Sequence, residues 1–445
     1  MEMSGDPALA AVAGVSLALT STLAPRVPTL NTGRVPTRPK ACGQELVRGV
    51  GDTGGVLPDF LSTAAGRGEL WRAIELAESL GELDPIRRAA ALRSSLDPGL
   101  ATVALAQAAL RARARAKFGA LAGSLLFTPD GLEQATRVEI ADHRAARYAG
   151  AGLSSVLDLC CGIGADVLAF QRAGLAVTGV ERDPGTAAIA AANADAPIVT
   201  SNAEDADWRA AESVFLDPAR RTDRGRTFDP RAYSPSFDFV LDVLTSGGYA
   251  AAKLAPGLDH RLIPAGAEAE WVSFAGGVKE AVLWSAAFRA VTARDVSYRA
   301  TVLPSGEHLT DADPSSPAIG PVGAYLYEPD GAVIRAGLVQ QVSALLPGGR
   351  RIDEHLAYLS ADAPVSTALA RGYRVLDVLP YSVKPLRAEL RRRQVGIVEI
   401  KKRGVDIDPA ALRRELKPQG PNSITVLLAR VGESRLAVLA EPVQG

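Results

Sequence analysis

Hydrophobic positions repeat with two different periods along this chain of 445 residues. Between residues 57 and 147, apolar side chains recur every three or four residues, most clearly over 70–80, and this spacing is typical of amphipathic helices. From residue 154 onward, short β-branched runs alternate with helical stretches. The pattern predicts a helical N-terminal region followed by a domain in which strands and helices alternate.

The alternating segment has the order expected of a parallel sheet. Strands are predicted at 155–160, 176–181, 197–200 and 213–217, with helices at 165–173 and 186–194 between them. Strand–helix alternation with short loops favours a doubly wound α/β sheet. Right-handed crossovers then place a ligand at the carboxyl ends of the strands.

A second unit is predicted beyond a stretch rich in Pro, Ser and Asp at 311–321. It is small and α+β, with strands and helices that alternate and a final hairpin at 424–439. We therefore expect five regions, namely a disordered N-terminal extension (1–55), a helical region (57–147), an α/β domain (148–310), a linker with connecting elements (311–370) and the C-terminal unit (371–442).

The first 55 residues differ from the rest of the chain. Residues 8–24 are small and apolar, but the preceding residues are acidic, whereas a secretory leader begins with positive charge. Many Pro and Gly residues follow, which favour unstructured chain. Two interpretations stay open: a natural flexible tail, or a start codon assigned too early.

The amino-acid composition argues against several classes of protein. The 49 basic and 50 acidic residues give a net charge of −1, and three Cys with four His favour neither a disulfide framework nor a Cys/His metal site. We expect a cytoplasmic protein with no metal and no membrane partner. Only 5 % of the residues are aromatic, so rings that could stack on bases are few.

The most informative segment is a strand that runs into a glycine turn. Asp158 lies in the strand, and Gly162 and Gly164 form the turn, whereas the third glycine of a dinucleotide-binding motif is replaced by Val167. Asp158 and Asp166 would repel a pyrophosphate. Acidic groups suit a cationic ligand that has an amino group and a sulfonium.

A second acidic position supports a nucleoside ligand. Glu181 ends the second predicted strand, nineteen residues after Gly162. A carboxylate at this place can accept hydrogen bonds from both ribose hydroxyls.

These residues resemble the motifs of class I S-adenosylmethionine-dependent methyltransferases, which have a Rossmann-like sheet. Asp158-Leu-Cys-Cys-Gly-Ile-Gly matches their first motif and Glu181 their second. A Thr-Pro turn such as Thr128-Pro129 closes over the methionine part of the cofactor in related enzymes, although it could equally be an ordinary helix cap. The resemblance implies an S-adenosylmethionine site formed by Thr128, Asp158, Cys160, Gly162, Gly164, Asp166, Glu181, Asn202, Ala203 and Asp205.

The candidate catalytic residues follow the fourth strand, at Asp217, Pro218 and Arg220. Methyltransferases that act on amino groups of nucleic acids usually have Asp/Asn-Pro-Pro-aromatic there, and the carboxylate or amide accepts a hydrogen bond from the acceptor amine. This chain keeps Asp217-Pro218 but has Ala219-Arg220. Arg220 could stack on a base or bind a phosphate, or it could pair with nearby acids. Lys253, just after the fifth predicted strand, is a further candidate for the acceptor pocket.

The C-terminal unit is basic. Residues 371–430 contain fourteen basic and six acidic residues, a net charge of +8. Two clusters in this unit are candidates for RNA binding, and a solvated charged surface is the alternative. The candidate residues are Arg391, Arg392, Arg393, Lys401, Lys402 and Arg403.

The whole architecture resembles methyltransferases with a C-terminal THUMP-like domain. The resemblance rests on residues 126–136, 216–221, 325–330 and 398–404. THUMP modules bind structured RNA, so it implies an RNA partner and RNA methylation, with a base amine as one acceptor. The alternatives are a methyltransferase of a small molecule or protein, and a non-catalytic RNA-binding protein.

Overall fold

The computed structural model describes residues 57–219, 221–222, 225–226, 233–291 and 295–443. The expected extension at 1–55 therefore lies outside the described residues. No helix in the described ranges is long and apolar enough to span a membrane.

From residue 57 onward, six α-helices precede the first strand. Asp84 and Asp97 cap two of them, each followed by a proline that has the fixed φ of a first helical position. The end of the region expected to be helical forms two helices with a break at 135–137. The six are α1 Leu57–Leu61, α2 Ala64–Ser79, α3 Pro85–Ser95, α4 Pro98–Phe118, α5 Pro129–Gln134 and α6 Val138–Gly150.

A nine-stranded sheet forms the next domain, in the order β11-β10-β8-β9-β7-β4-β1-β2-β3. The five strands β7, β4, β1, β2 and β3 are parallel to one another. Strand β9 is antiparallel to β7, and β8 and β10 again run in the direction of β7. Its strands are β1 Ser155–Leu159, β2 Ala176–Glu181, β3 Ile198–Thr200, β4 Ser213–Leu216, β7 Tyr249–Leu254, β8 Glu268–Phe274, β9 Gly277–Trp284, β10 Tyr298–Leu303 and β11 Glu307–Thr310, with a separate ribbon of β5 Arg221–Thr222 and β6 Gly225–Arg226.

Helices pack on both faces of this sheet, so the predicted doubly wound α/β fold is confirmed. They are α7 Ala165–Arg172, α8 Pro184–Asn193, α9 Phe237–Thr245 and α10 Ala286–Ala290. One face packs around the buried ring of Tyr148, whose hydroxyl donates to the Val214 carbonyl at 2.7 Å. The other face contains Trp271 and the α9 residues. The predicted helices and strands between 155 and 217 lie within a few residues of their expected bounds.

The C-terminal unit is a second sheet of seven strands, in the order β13-β14-β12-β15-β18-β17-β16. Three of these strands come from 325–361, so the segment expected as a linker contributes to the sheet, which begins before residue 371. The small α+β domain and its hairpin are otherwise as predicted. Its elements are β12 Tyr325–Pro329, α11 Gly331–Ala336, α12 Val339–Leu345, β13 Arg350–Arg351, β14 Leu359–Ala361, β15 Ala370–Pro380, α13 Val383–Arg392, β16 Val395–Arg403, α14 Pro409–Leu416, β17 Asn422–Val431 and β18 Ser434–Pro442.

Candidate active site

A cavity of about 520 Å³ lies at the carboxyl ends of β1, β2, β4 and β7. Its volume is in the range of small-molecule sites, about 300 to 1,000 Å³. It brings together most of the residues predicted from the sequence, which are Thr128, Cys160, Gly162, Asp166, Glu181, Asn202, Ala203, Asp205, Asp217 and Pro218.

The glycine turn has left-handed backbone at three alternate positions. The φ angles are 63° at Cys160, 56° at Gly162 and 86° at Gly164. A Cβ on Gly162 would meet no atom within 4 Å, so the backbone conformation, and not lack of space, calls for glycine there. The turn leads directly into α7, and the cavity lies beside it.

Glu181 ends β2 with its carboxylate held beside this turn. One oxygen accepts the Gly162 amide at 3.1 Å and the other accepts the Asp183 amide at 3.0 Å. Carboxylate oxygens have further lone pairs, so Glu181 can still accept hydrogen bonds from a ligand in the cavity. Its position fits a pair of ribose hydroxyls.

The short loop after β3 forms another wall. The Asn202 amide donates to the Asp205 carboxylate at 2.8 Å, and both residues line the cavity with Ala203 between them. The pair holds the loop in one conformation beside Glu181.

Thr128 is both a helix cap and a cavity residue. Its hydroxyl accepts the Gly131 amide at 2.8 Å, which starts α5. A Cβ on Gly131 would come within 2.5 Å of Ile163, so α5 packs directly on the glycine turn. The two interpretations of the Thr-Pro turn are therefore compatible.

The charges that line the cavity favour a cation. Two basic side chains, Arg182 and Lys253, face seven acidic ones, which are Asp130, Asp166, Glu181, Asp183, Glu204, Asp205 and Asp217. A ligand with a sulfonium and an ammonium group fits this surface, whereas a pyrophosphate does not.

Asp158 and Gly164 do not line the cavity. The Asp158 side chain is fully buried, and neither carboxylate oxygen has a hydrogen-bond partner among the described residues. Burial raises the pKa of Asp158 well above its usual value, and the negative charges of Asp166 and Asp217 add to the shift. Direct contact of Asp158 with the cofactor therefore stays a prediction from the resemblance, which its position does not support.

Cys160 lines the cavity, but its thiol is not an activated nucleophile. Burial raises its pKa, and the Glu181 carboxylate raises it further. The thiol is therefore protonated near neutral pH.

Asp217 follows β4 and forms an ion pair that the sequence did not predict. The Lys253 ammonium, in β7, lies 2.6 Å from Asp217 Oδ2. Lys253, expected just after the fifth strand, lies inside that strand, and it also donates to the Thr136 hydroxyl at 2.9 Å. The pair fixes Asp217 at the rim of the cavity.

Behind this pair lies a chain of buried polar groups. Thr136 donates to Asp166 Oδ2 at 2.7 Å, and Arg144 bonds to both Asp166 and Glu280. We call these residues the buried network, consisting of Asp217, Lys253, Thr136, Asp166, Arg144 and Glu280. Although burial opposes its charged form, the carboxylates of Asp166 and Glu280 raise the pKa of Arg144. Arg144 is therefore a fixed positive charge beneath the site.

Arg220 lies outside the described residues. Pro218 and Ala219 line the cavity beside Asp217, and Ser234 pairs with Ala219 through backbone hydrogen bonds of 2.8 and 3.2 Å. This loop forms the part of the cavity wall beside Asp217.

The two basic clusters of the C-terminal unit are separate in space and partly neutralised. Arg392 and Arg393 both pair with Glu389. Lys401 and Arg403 both pair with Glu328, at 2.5 and 3.2 Å. The exposed side chains are Arg391, Arg392 and Lys402.

Comparisons with known proteins agree with this geometry. The model of the THUMP domain-like family matches residues 370–442. A protein from two strains of Mycobacterium tuberculosis, described as an uncharacterised S-adenosylmethionine-dependent methyltransferase, is 36 % identical over 340 residues, which cover 74 % of this chain and 92 % of that relative. A crystal structure from Porphyromonas gingivalis, of a protein assigned as a methyltransferase, has a TM-score of 0.66 at 19 % identity and covers 85 % of this chain and 99 % of that one, which shows likeness of fold.

Proposed function

The chain belongs to the S-adenosylmethionine-dependent methyltransferases, and on that premise we propose that it methylates RNA at an exocyclic amine of a base. S-adenosylmethionine supplies, when bound, a methyl group on a sulfonium that needs no further activation. The protein's own contribution is then to hold the acceptor in line and to exclude water.

The glycine turn and the Glu181 carboxylate hold the cofactor in this proposal. Gly162 lets the backbone pass close to the ligand, and Glu181 accepts the ribose hydroxyls. Asn202, Ala203 and Asp205 border the adenine. The excess of acidic groups over basic ones on the cavity wall favours the cationic cofactor.

Asp217 orients the acceptor amine. Lys253 bonds to Oδ2, and Oδ1 can accept a hydrogen bond from the amine N–H. Pro218 follows with a carbonyl that can accept the second N–H, as the resemblance implies. The position of Asp217 on the cavity wall, fixed by a buried lysine, is the observation that carries the proposal.

The C-terminal domain is the proposed contact with RNA. It matches the THUMP domain-like family, and its 371–430 segment has a net charge of +8. A basic module beside an acidic catalytic cavity suits a substrate whose base enters the cavity while its phosphates stay outside.

A small-molecule acceptor is the second candidate, favoured by the internal pairing of Arg392 and Arg393 with Glu389. Salt distinguishes the two candidates. Binding of RNA through several phosphates weakens steeply as salt rises, whereas binding of a small neutral acceptor does not.

The test uses a lysate of a strain that lacks this protein, which is divided into RNA, protein and small-molecule fractions after the reaction. The full-length protein and methyl-labelled S-adenosylmethionine are added, and the nucleosides are separated by mass spectrometry. We expect one labelled nucleoside with the methyl group on an exocyclic nitrogen. A label that appears only in the small-molecule or protein fraction of the same lysate would refute the RNA substrate.

A further inference from the structure

A second cavity, of about 680 Å³, lies where the nine-stranded sheet meets the C-terminal sheet. The ends of β8 and β10 form one side, through Ala275, Gly276 and residues 302–305. The C-terminal sheet forms the other side, with Glu328, Arg371, Lys401 and Arg403 on its wall. We call it the junction cavity.

Positive charge exceeds negative charge on this wall. On the wall, Glu328 is the shared partner of Lys401 and Arg403, and the exposed Arg371 adds a third cation. Glu399, which does not line the cavity, also lies 4.0 Å from Lys401. The other acid on the wall, Asp330, accepts the Ala332 amide at 2.8 Å and caps α11. The wall therefore has capacity for one more anionic partner.

The two paired cations are only partly in contact with water. The side chains of Lys401 and Arg403 are 21 % and 28 % exposed. Each also lies over an aromatic ring, Lys401 at 5.8 Å from Tyr373 and Arg403 at 5.4 Å from Tyr358. The Lys401 ammonium and the Arg403 guanidinium are therefore held in place. Because they are partly shielded from water, they attract an anion more strongly than fully solvated lysines do.

The junction cavity lies on the same edge of the nine-stranded sheet as the candidate active site. The strands β8 and β10 run in the same direction as β4 and β7, so all four carboxyl ends meet at that edge. Between β4 and β8 or β10 are three or four strand spacings in the sheet order. At about 4.8 Å per spacing, the two sites are roughly 14 to 19 Å apart along the edge.

We propose that the junction cavity binds backbone phosphate of the acceptor RNA while the target base occupies the candidate active site. This inference rests on the proposed RNA substrate. The acidic wall of the active site repels phosphate, so an RNA needs a positive site nearby on the same edge. The wall cations of the junction cavity supply it.

Neighbouring lysines of β16 give a matched test. Lys401 lines the junction cavity, whereas Lys402 points to the opposite face, is exposed and does not line it. The variants K401Q and K402Q remove the same charge from adjacent positions of one strand. Affinity for a fluorescein-labelled single-stranded RNA is measured against salt, with thermal unfolding as a check of folding.

We expect K401Q to bind RNA about three- to tenfold more weakly, and to lower the slope of log affinity against log salt by about 0.7, the value for one lost phosphate contact on a single strand. K402Q should change neither quantity by as much. If the parent protein binds RNA and the two variants have the same affinity and salt slope, the junction cavity is not the phosphate site. The proposed RNA substrate would be unaffected by that result.

A third variant is expected to strengthen RNA binding, which misfolding would not do. E328Q removes the carboxylate that Lys401 and Arg403 share on the cavity wall, and leaves Glu399 at 4.0 Å from Lys401. If the cavity binds phosphate, E328Q binds RNA more tightly than the parent, although it loses an ion pair. Weaker RNA binding by folded E328Q would contradict the proposal.

Calorimetry with inorganic pyrophosphate distinguishes a site for RNA phosphate from a site for a free phosphate ligand. One outcome is that the parent protein binds pyrophosphate but no RNA, and that K401Q loses pyrophosphate binding whereas K402Q keeps it. This outcome would support a phosphate site and refute the RNA substrate. Binding of neither probe would overturn the cavity as a phosphate site.

Discussion

Two clusters of arginine and carboxylate in this protein have the same chemistry and opposite surroundings. In the buried network, Arg144 bonds to Asp166 and Glu280, and its side chain is 1 % exposed. At the end of α13, Arg392 and the following Arg393 bond to Glu389, and the Arg392 side chain is 66 % exposed. We call these three residues the α13 cluster. The first cluster lies beneath the candidate active site, whereas the second lies on the surface of the C-terminal domain.

The difference shows what a charge contributes at each place. Water screens the surface pair, so its two partners can separate at little cost. The side chains of Asp166 and Glu280 are only 7 % and 3 % exposed, so water replaces Arg144 poorly and the loss of that side chain leaves them undercompensated. The run of three arginines is conspicuous in the sequence, but the isolated Arg144 has the larger structural role.

Replacement of Arg144 by Met is expected to have the largest effect on stability. It leaves Asp166 and Glu280 buried without their cation, which lowers the free energy of unfolding by about 3 to 5 kcal/mol. Urea denaturation measures it. The matched control is Arg172→Met, which breaks an ion pair with Asp142 whose side chains are 35 % and 45 % exposed and should cost under about 1 kcal/mol. Equal losses in the two variants would remove the distinction between the clusters.

Replacement of Asp217 by Ala tests what the buried network supports. The acceptor loses its orienting carboxylate, so the single-turnover rate of methyl transfer is expected to fall about 10²-fold. The dissociation constant of S-adenosylmethionine should stay within about threefold, because Glu181 and the glycine turn remain. Asp217→Asn keeps a hydrogen-bond acceptor and should recover part of the rate. An unchanged rate in Asp217→Ala would refute the acceptor assignment.

The parts of this site that the sequence predicted are those in which one short segment specifies its own geometry. Gly162 lies three residues after β1, Glu181 ends β2, and Asp217 directly follows β4. Because parallel strands end at one edge of the sheet, their order along the chain was enough to bring them together.

The buried network was missed because its contacts join distant segments. Lys253 meets Thr136 across 117 positions, and Arg144 meets Glu280 across 136. Each residue alone resembles an ordinary helix or strand residue, and only the packing of α6 on the sheet pairs them. A lysine in the otherwise apolar strand β7 was the one local signal, since a buried lysine needs a partner.

The strands at 325–361 were missed for a related reason. They are short, and the proline-rich segment before them indicates a linker. Their partner β15 lies beyond the expected boundary, so only the tertiary pairing of Tyr325 with Arg374 identifies them as part of the C-terminal sheet.

Replacement of Glu181 by Gln should have an intermediate effect on ligand binding. The neutral amide loses the charge that strengthens hydrogen bonds from the ribose, and its NH₂ group opposes the amide of Gly162 or Asp183. We expect the dissociation constant of S-adenosylmethionine to rise about tenfold, measured by calorimetry. Glu212→Gln, which removes a charge beside residues 154–155 at the amino end of β1, is the control and should leave binding unchanged. A similar loss in both would indicate a general effect of charge.

The smallest effect is expected for Arg392→Gln. Glu389 accepts from both Arg392 and Arg393, so removal of Arg392 leaves the carboxylate with a cation that is less exposed, at 24 %. Because solvent screens the lost pair, the free energy of unfolding should not change measurably in urea denaturation carried out beside Arg144→Met. A loss of several kcal/mol would mean that the α13 cluster is held as firmly as the buried network. Exposure would then not explain the contrast between the two clusters, and the arginine run would be a structural element of the C-terminal domain.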